Sequence, residues 1–353
     1  MQKLRVGIIG TGGISHSHMD GYRQLADTVE VVACCDIDAE KVKKYAAKFS
    51  IPHYYTDCRE MMANEQLDCV SVSTWNAAHM DCTIAALEGG ANVICEKPMA
   101  MNAEEASRMQ QTAASCGKLL QIGFVRRFGR DAELIKNFSE AGMLGDIYYA
   151  KAQYLRRDGC PGGWFRDKRF SGGGPLIDLG VHIIDLTRYL AGNPKPVSVF
   201  GATFSNLGPN RAKGAQTAWE TADEGEHPYS VEDFATAMVR FENGFTLQVE
   251  TSFNLNIKRD AGDISLFGTK AGVKIGDALE IYTDAAGSYM DMVPVGDTGF
   301  DFQKAFRAEI KGFVDAVRGE APCRATADDG VQLMEIIDAI YLSAKTGQAV
   351  QIQ

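Results

Sequence analysis

Between Leu4 and Phe124, short apolar runs alternate with amphipathic stretches. Residues 5–10, 29–36, 67–74, 92–95 and 119–124 carry strand-like runs, and 39–49, 77–89 and 103–117 repeat apolar residues at helical spacing. Strand and helix in strict alternation predict a parallel sheet covered on both faces. After residue 124 the grammar changes. A helical segment runs through Ala141, an extended run covers 146–155, a Gly-rich stretch fills 159–175, and another helix follows. Strand-like runs then succeed one another at 197–204, 233–241, 245–253, 263–267 and 279–283. Glu242-Asn243-Gly244 supplies hairpin chemistry and 269–272 a further turn, so an antiparallel or mixed sheet is expected. Residues 302–317 and 327–346 return to helices, and the polar segment 206–229 reads as a long loop over a site or a subunit contact.

A chain of 353 residues is too long for one compact core and suits two domains, or one domain with a large appended sheet. Its net charge of −10 argues against nucleic acid or an anionic membrane as partner, and the pairs Arg126-Arg127 and Arg156-Arg157 are too short to reverse that. Nine scattered cysteines without a C-x-x-C pair point to neither a disulfide framework nor a thiolate zinc site. No charged and apolar leader precedes the first strand, and no apolar run approaches the ~18 residues of a membrane span. A cytoplasmic protein is therefore expected.

Gly10-Thr11-Gly12-Gly13-Ile14-Ser15 lies in the turn from the first strand into the first helix. Small residues there let the backbone approach a pyrophosphate, whose charge the helix N-terminus favours. Ser15 replaces the third glycine of the dinucleotide fingerprint and is still small enough for close packing. Asp36, at the end of the second strand, would accept from ribose hydroxyls and repel a 2′-phosphate, with Asp38 adding to the repulsion. NAD is the expected cofactor. NADP stays possible through Lys41 or Arg59, and flavin is disfavoured.

Asp178, His182 and Asp185 recur at i, i+4 and i+7, which on a helix puts two carboxylates and an imidazole on one face. A proton-handling or metal-binding wall fits that face, as does one buried histidine with two capping or surface aspartates. Gly180 inside the same turn implies a close approach to the backbone. A metal would lack a second histidine at ligand spacing, so none is expected. Glu96-Lys97-Pro98 follows the run 92–95 and sets Lys97 beyond the carboxyl end of a parallel strand, where ligands of open α/β sheets bind. Trp164 offers an aromatic face to a ligand or to the core, and Arg156 a fork for hydroxyls or a carboxylate, while Arg127 serves substrate or braces the domain junction.

Taken in order, these segments resemble the Gfo/Idh/MocA family, the glucose–fructose oxidoreductase and inositol dehydrogenase group. The resemblance rests on residues 7–14, Asp36, Thr74-x-Asn76-x-x-His79, Glu96-Lys97-Pro98, Gly123-Phe124-x-x-Arg127-Phe128, Gly172-Gly173-Gly174 with Asp178, Gly180, His182 and Asp185, and Ser343-Ala344-x-x-Gly347. It implies an α/β chain with an N-terminal Rossmann domain over 1–124. An α+β domain over 125–300 with a large, mostly antiparallel open sheet and C-terminal helices over 301–353 would follow. One sheet face left open by the helices would make a homodimer or homotetramer.

By the same resemblance, Lys97 would bind the reacting oxygen, His182 would exchange its proton, and Asp178 would hold a neighbouring hydroxyl. Asp185 would support the helix. Gly10, Gly12, Gly13, Ile14, Asp36, Thr74, Trp75, Asn76, His79, Glu96 and Lys97 would line the cofactor, with Trp75 standing where the family usually has proline. Lys97, Arg127, Arg156, Trp164, Asp178 and His182 would meet a sugar, sugar derivative or cyclic polyol. The implied activity is hydride transfer from a secondary alcohol to NAD. A redox-neutral sugar-modifying enzyme with retained NAD is the first alternative, and a non-catalytic sugar or NAD sensor the second; paired Lys97 and His182 argue against the sensor.

Overall fold

In the computed structural model, which describes residues 2–211 and 225–352, the five early apolar runs and one further segment form six parallel strands. These are β1 (Leu4–Ile9), β2 (Val29–Cys35), β3 (His53–Tyr55), β4 (Cys69–Val72), β5 (Asn92–Glu96) and β6 (Leu120–Gly123). Helices α1 (Ser15–Arg23), α2 (Ala39–Phe49), α3 (Cys58–Asn64), α4 (His79–Glu88) and α5 (Ala103–Cys116) alternate with them. The sheet order β3-β2-β1-β4-β5-β6 is that of a Rossmann fold and reverses between β1 and β4, the edge at which such sheets bind ligands. β3 and α3 were not legible as elements in the apolar pattern: His53, Tyr54 and Tyr55 form an edge strand with no buried residue.

The first unit comprises Met1–Val125 and Phe302–Val331, so a late stretch of chain returns to the early sheet. Helix Phe302–Val317 supplies Ile310, Phe313 and Val314 to a core built from Val6, Tyr22, Val29, Cys69 and Ile94. Gly21 on α1 makes that packing possible, since a Cβ there would stand 2.8 Å from Ile310. A second cluster joins Ile8, Met19, Cys34, Val42 and Tyr45.

The second unit, Arg126–Asp301 with Gln332–Gln353, holds α6 (Arg130–Glu140), β7 (Ile147–Leu155), α7 (Lys168–Ser171) and α8 (Val181–Leu190). Eight further strands complete its sheet: β8 (Pro196–Phe204), β9 (Phe234–Phe241), β10 (Thr246–Ser252), β11 (Ala261–Gly268), β12 (Ala271–Ile275), β13 (Leu279–Ala285), β14 (Ser288–Met292) and β15 (Val350–Gln351). The nine strands run β14-β13-β12-β11-β7-β10-β9-β8-β15, antiparallel throughout except for the β7/β10 pair. Gly244, with φ +86°, makes the β9–β10 hairpin turn.

Alternation along these strands divides the sheet into two faces. Val199, Val239, Leu247, Val249, Ile264, Leu266 and Val273 are buried, and α8 packs over β7 and β11. On the other face Phe200 (56% exposed) lies opposite Met238 (47%), and Tyr149 stacks on Phe267 at 5.7 Å. Within the expected loop 206–229, Gly208–Arg211 forms a short helical turn, and 212–224 lie outside the described residues. No helix among the described residues is long and apolar enough to cross a membrane.

Candidate functional site

The turn after β1 depends on Gly10. Its φ of +86° is a left-handed conformation, and a Cβ there would collide with the Ser73 carbonyl oxygen at 2.6 Å. At Gly12 and Gly13 the reverse holds. A Cβ on either would meet nothing within 4 Å, so the loop borders open space. The N-terminus of α1 beyond it has neither a side-chain cap on Ile14 nor an acidic residue in its first turn, so the positive end of the helix dipole is not offset by a side chain. Its His16 and Ser17 N–H groups already bond to the Gly13 and Ile14 carbonyls. Ser15 donates to the Gly12 carbonyl at 2.6 Å and is fully buried, a structural use of the position that replaces the third glycine.

Asp36 stands beside this loop at the end of β2. Its Oδ2 accepts from the Thr11 N–H and hydroxyl, and its Oδ1 accepts from the Asp38 N–H. Burial would push the carboxyl up, but the Thr11 and Asp38 hydrogen bonds and nearby Lys41 outweigh it and hold the group below the usual carboxylate range. Asp38 itself caps α2, accepting from Glu40 and Lys41 N–H groups. The open glycine loop, the uncapped helix end and an ionised carboxylate at the second strand fit a dinucleotide.

Thr74 and Trp75 follow β4, half-buried, and Asn76 is buried at the start of a short 3-10 turn. The Trp75 backbone, at φ −72° and ψ 158°, has the shape a proline would take. His79 is buried. Its Nδ1 lies 2.7 Å from the Pro98 carbonyl and its Nε2 3.2 Å from the Thr74 carbonyl, so it ties the loop after β4 to the loop after β5. Burial lowers its pKa, so the ring stays neutral with a single N–H for the two carbonyls, the shorter contact being to Pro98.

Lys97 projects from that second loop, at the carboxyl end of β5. Every other residue of 93–100 is buried. The Lys97–Pro98 peptide is cis. Glu96 is buried, paired through Oε1 with His18 and accepting the Lys97 N–H at Oε2. The sequence reading put Glu96 against the cofactor and missed His18. A lone histidine on α1 carries no signal until the fold shows what its ring reaches.

In the second unit the helix read over 178–185 is not regular. Leu176–Gly180 forms a π turn, followed by α8. Asp178 belongs to the turn and His182 to the α-helix, so the expected i, i+4, i+7 face is interrupted by the wider turn. The approach to Gly180 comes from protein: a Cβ there would meet Leu176 at 3.1 Å and Thr251 at 3.5 Å. Along α8 only His182 and Tyr189 escape full burial, which leaves the imidazole reachable on an otherwise buried helix.

Each member of Gly172-Gly173-Gly174 has its own cause. Gly172 has φ +81°, a Cβ on Gly173 would stand 1.9 Å from the Tyr341 hydroxyl, and one on Gly174 would stand 2.1 Å from the Glu232 carbonyl. Glu232, which the sequence reading did not single out, accepts from the Gly174 N–H (2.9 Å), the Leu176 N–H (3.1 Å) and the Tyr341 hydroxyl (2.9 Å). This buried carboxylate fixes the start of the turn that carries Asp178.

Asp178 is buried to 8% exposure and is a charged neighbour of Cys160, together with Arg166 and Arg156. Burial pushes the Cys160 thiol up to about 11, with the Gly162 N–H and the two arginines opposing and Asp178 reinforcing that shift. Arg156 donates to the Gly159 carbonyl and lies 5.3 Å from the Tyr154 ring. The buried Nε of Arg166 has no hydrogen-bond partner among the described residues. Trp164, half-buried, stacks on Phe165 at 3.9 Å. Arg127 lies apart from this group: it is 1% exposed, forks onto Asp185 through Nε (2.9 Å) and Nη2 (2.7 Å), and packs its guanidinium over Tyr189. Among the described residues no group of three or more His, Cys, Asp or Glu could hold a metal ion.

Two family profiles match the chain. Residues 4–124 match an oxidoreductase family with an NAD-binding Rossmann fold, and 136–352 match the C-terminal α/β domain of the same oxidoreductases. A D-glucoside 3-dehydrogenase of Escherichia coli K12 is 36% identical over 351 residues, 99% of this chain and 97% of its own. An inositol 2-dehydrogenase of Saccharopolyspora erythraea is 27% identical over 99% of this chain and 95% of its own. Among solved structures, a levoglucosan dehydrogenase in complex with NADH superposes with a TM-score of 0.86, covering all of both chains at 24% identity. The N-terminal unit is thus an NAD-binding Rossmann domain.

Proposed function

We propose, from the premise that this chain belongs to the Gfo/Idh/MocA oxidoreductase family, that it oxidises a secondary alcohol of a sugar or cyclic polyol at the expense of NAD, with a D-glucoside the first substrate to try. The observation that carries the reading is Lys97, the one unburied residue of 93–100, placed at the binding edge of an NAD-type Rossmann sheet. NAD, when bound, supplies the acceptor for the hydrogen and electron pair leaving the carbinol carbon. Lys97 donates to the reacting oxygen and stabilises its negative character as the proton leaves. His182, in its neutral form, takes that proton.

Asp178 accepts from an adjacent hydroxyl, and Arg166 and Arg156 donate to others, which suits a ring bearing several neighbouring hydroxyls. Trp164 offers its face to the ring. Arg127 acts on this site through Asp185 and the helix they brace. The exposed face with Phe200 and Met238 serves a second copy of the chain, in a dimer or tetramer. Nine cysteines, none in a disulfide, suit a reducing cytoplasm.

The test is NADH formation by purified protein given NAD and a panel of alkyl D-glucosides, levoglucosan, aldoses and inositols. Turnover on one ring class is expected, with Lys97→Ala abolishing it while NAD binding persists. No turnover on any of them, or parental activity in Lys97→Ala, would overturn the assignment.

A further inference from the structure

Behind Lys97 lies a chain of polar side chains sealed from solvent. Tyr22 OH is 2.8 Å from Ser71 Oγ, Ser71 Oγ is 3.1 Å from His18 Nδ1, and His18 Nε2 is 2.9 Å from Glu96 Oε1. Glu96 Oε2 in turn accepts the backbone N–H of Lys97 at 3.2 Å. Ser71 and His18 are wholly buried and Tyr22 and Glu96 nearly so, with Phe306 packed 5.8 Å from the imidazole. Serine, histidine and glutamate in contact have the composition of a hydrolase triad. No substrate can reach this serine, and the carboxylate at the far end is spent on a backbone amide.

Hydrogen-bond direction along the chain follows from its end. An ionised carboxylate only accepts, so His18 Nε2–H donates to Glu96. On the ring's other side Nδ1 shares a hydrogen bond with Ser71 Oγ, and Ser71 Oγ shares one with Tyr22 OH. The Nε2–H is thus committed to Glu96, and the hydroxyls behind the ring hold its other nitrogen in place. His18 also sits one turn into α1, the helix that opens from the glycine loop, so that loop and the lysine share a rigid support.

We infer that His18, acting through Glu96, is a positioning residue for Lys97, holding its backbone so that the ammonium meets the reacting oxygen. The inference rests on the role proposed for Lys97. Without His18 the carboxylate loses its fixed partner and no longer pins the Lys97 amide.

Two readouts test this on the full-length protein. Amide hydrogen exchange without cofactor should show Lys97 protected in the parent, faster in His18→Ala, and again slow in His18→Gln, whose amide can donate to Glu96. In turnover, His18→Ala should lower kcat roughly tenfold to hundredfold while KM for sugar and Kd for NAD move by less than about threefold. His18→Gln should recover most of that loss. If His18→Ala does not fold, Ser71→Ala takes its place and should show faster exchange and reduced kcat. The inference is overturned if exchange at Lys97 is unchanged in His18→Ala, or in Ser71→Ala where that variant replaces it, or if His18→Gln is no better than His18→Ala. Parental activity in Lys97→Ala is a different failure, because it removes the function proposed for the lysine and leaves the exchange result standing.

Discussion

Asp36 Oδ2 accepts two hydrogen bonds from Thr11, from its backbone N–H and its hydroxyl, each at 2.8 Å, with Lys41 Nζ 3.3 Å from the same oxygen. The carboxylate therefore fastens the glycine loop to the end of β2, and the proposed NAD site adds a contact to the ribose. Asp36→Ala removes both uses. Hydrogen bonds to a charged group contribute about 1.5–3 kcal/mol each, so NAD affinity should fall at least tenfold. NADP should lose less, because the repulsion of a 2′-phosphate goes too. Fluorescence titration with both cofactors checks this, and equal losses would count against a ribose role.

The same carboxyl sets an acid limit. Its folded pKa lies below the ordinary carboxylate value of about 4, because hydrogen bonds and Lys41 outweigh burial. A depressed carboxyl contributes stability that is complete above its unfolded pKa and lost as pH falls through its folded pKa. The first unit should hold this contribution at neutral pH and shed it in that acid window. Urea denaturation at a series of pH values should show the loss in the parent and a flatter dependence in Asp36→Asn.

Glu232 runs the other way. Burial raises its pKa, although Gly174, Leu176 and Tyr341 all donate to it. Folding thus favours the protonated form, and the stability tied to Glu232 is present below its unfolded pKa and lost as pH rises through its folded one. Glu232→Ala would orphan two buried N–H groups and a hydroxyl at about 1–3 kcal/mol each. Its midpoint in thermal unfolding should drop by several degrees, and turnover should fall because the Asp178 turn loses its anchor. A parental midpoint would show that the turn holds itself.

How far the chain could be read depended on range. The glycine loop, Lys97 at the end of its strand, the Glu242-Asn243-Gly244 hairpin and the two late helices are local patterns, and each occurs where its residues predict it. β14 and β15 were illegible for different physical reasons: every residue of β14 is exposed, so no buried face shaped its sequence, and β15 has only two residues, too few for a period. The π turn at Leu176–Gly180 depends on Glu232, more than fifty residues away. His18 and Glu96 are 78 residues apart, and Arg127 and Asp185 are 58 apart. Their pairings are products of tertiary structure that no window of sequence contains.

Arg127 and Asp185 form a bidentate pair with both side chains at 2% exposure or less. Removing one member leaves a buried charge, which costs about 3–5 kcal/mol, whereas replacing both with apolar residues is often neutral. Arg127→Met and Asp185→Leu should each be strongly destabilised in urea, and the double variant should recover most of the loss. If the double variant were no better than either single, the pair would be structural through its other contacts, such as Tyr189.

The family resemblance leads one to expect proline at position 75, and the Trp75 backbone has the shape a proline would take, at φ −72° and ψ 158°. A proline ring fixes φ near −65° and favours no other well, so Trp75→Pro asks for no change in the folded path and narrows the unfolded ensemble. Such replacements shift stability by about 0.4–1 kcal/mol in the favourable direction. The half-buried indole it removes acts against this gain, so the net change should stay within about 1 kcal/mol. NAD binding should survive, since Thr74 and Asn76 keep their places. A collapse of NAD affinity in a folded Trp75→Pro protein would mean that the indole itself, or its backbone N–H, belongs to the cofactor site.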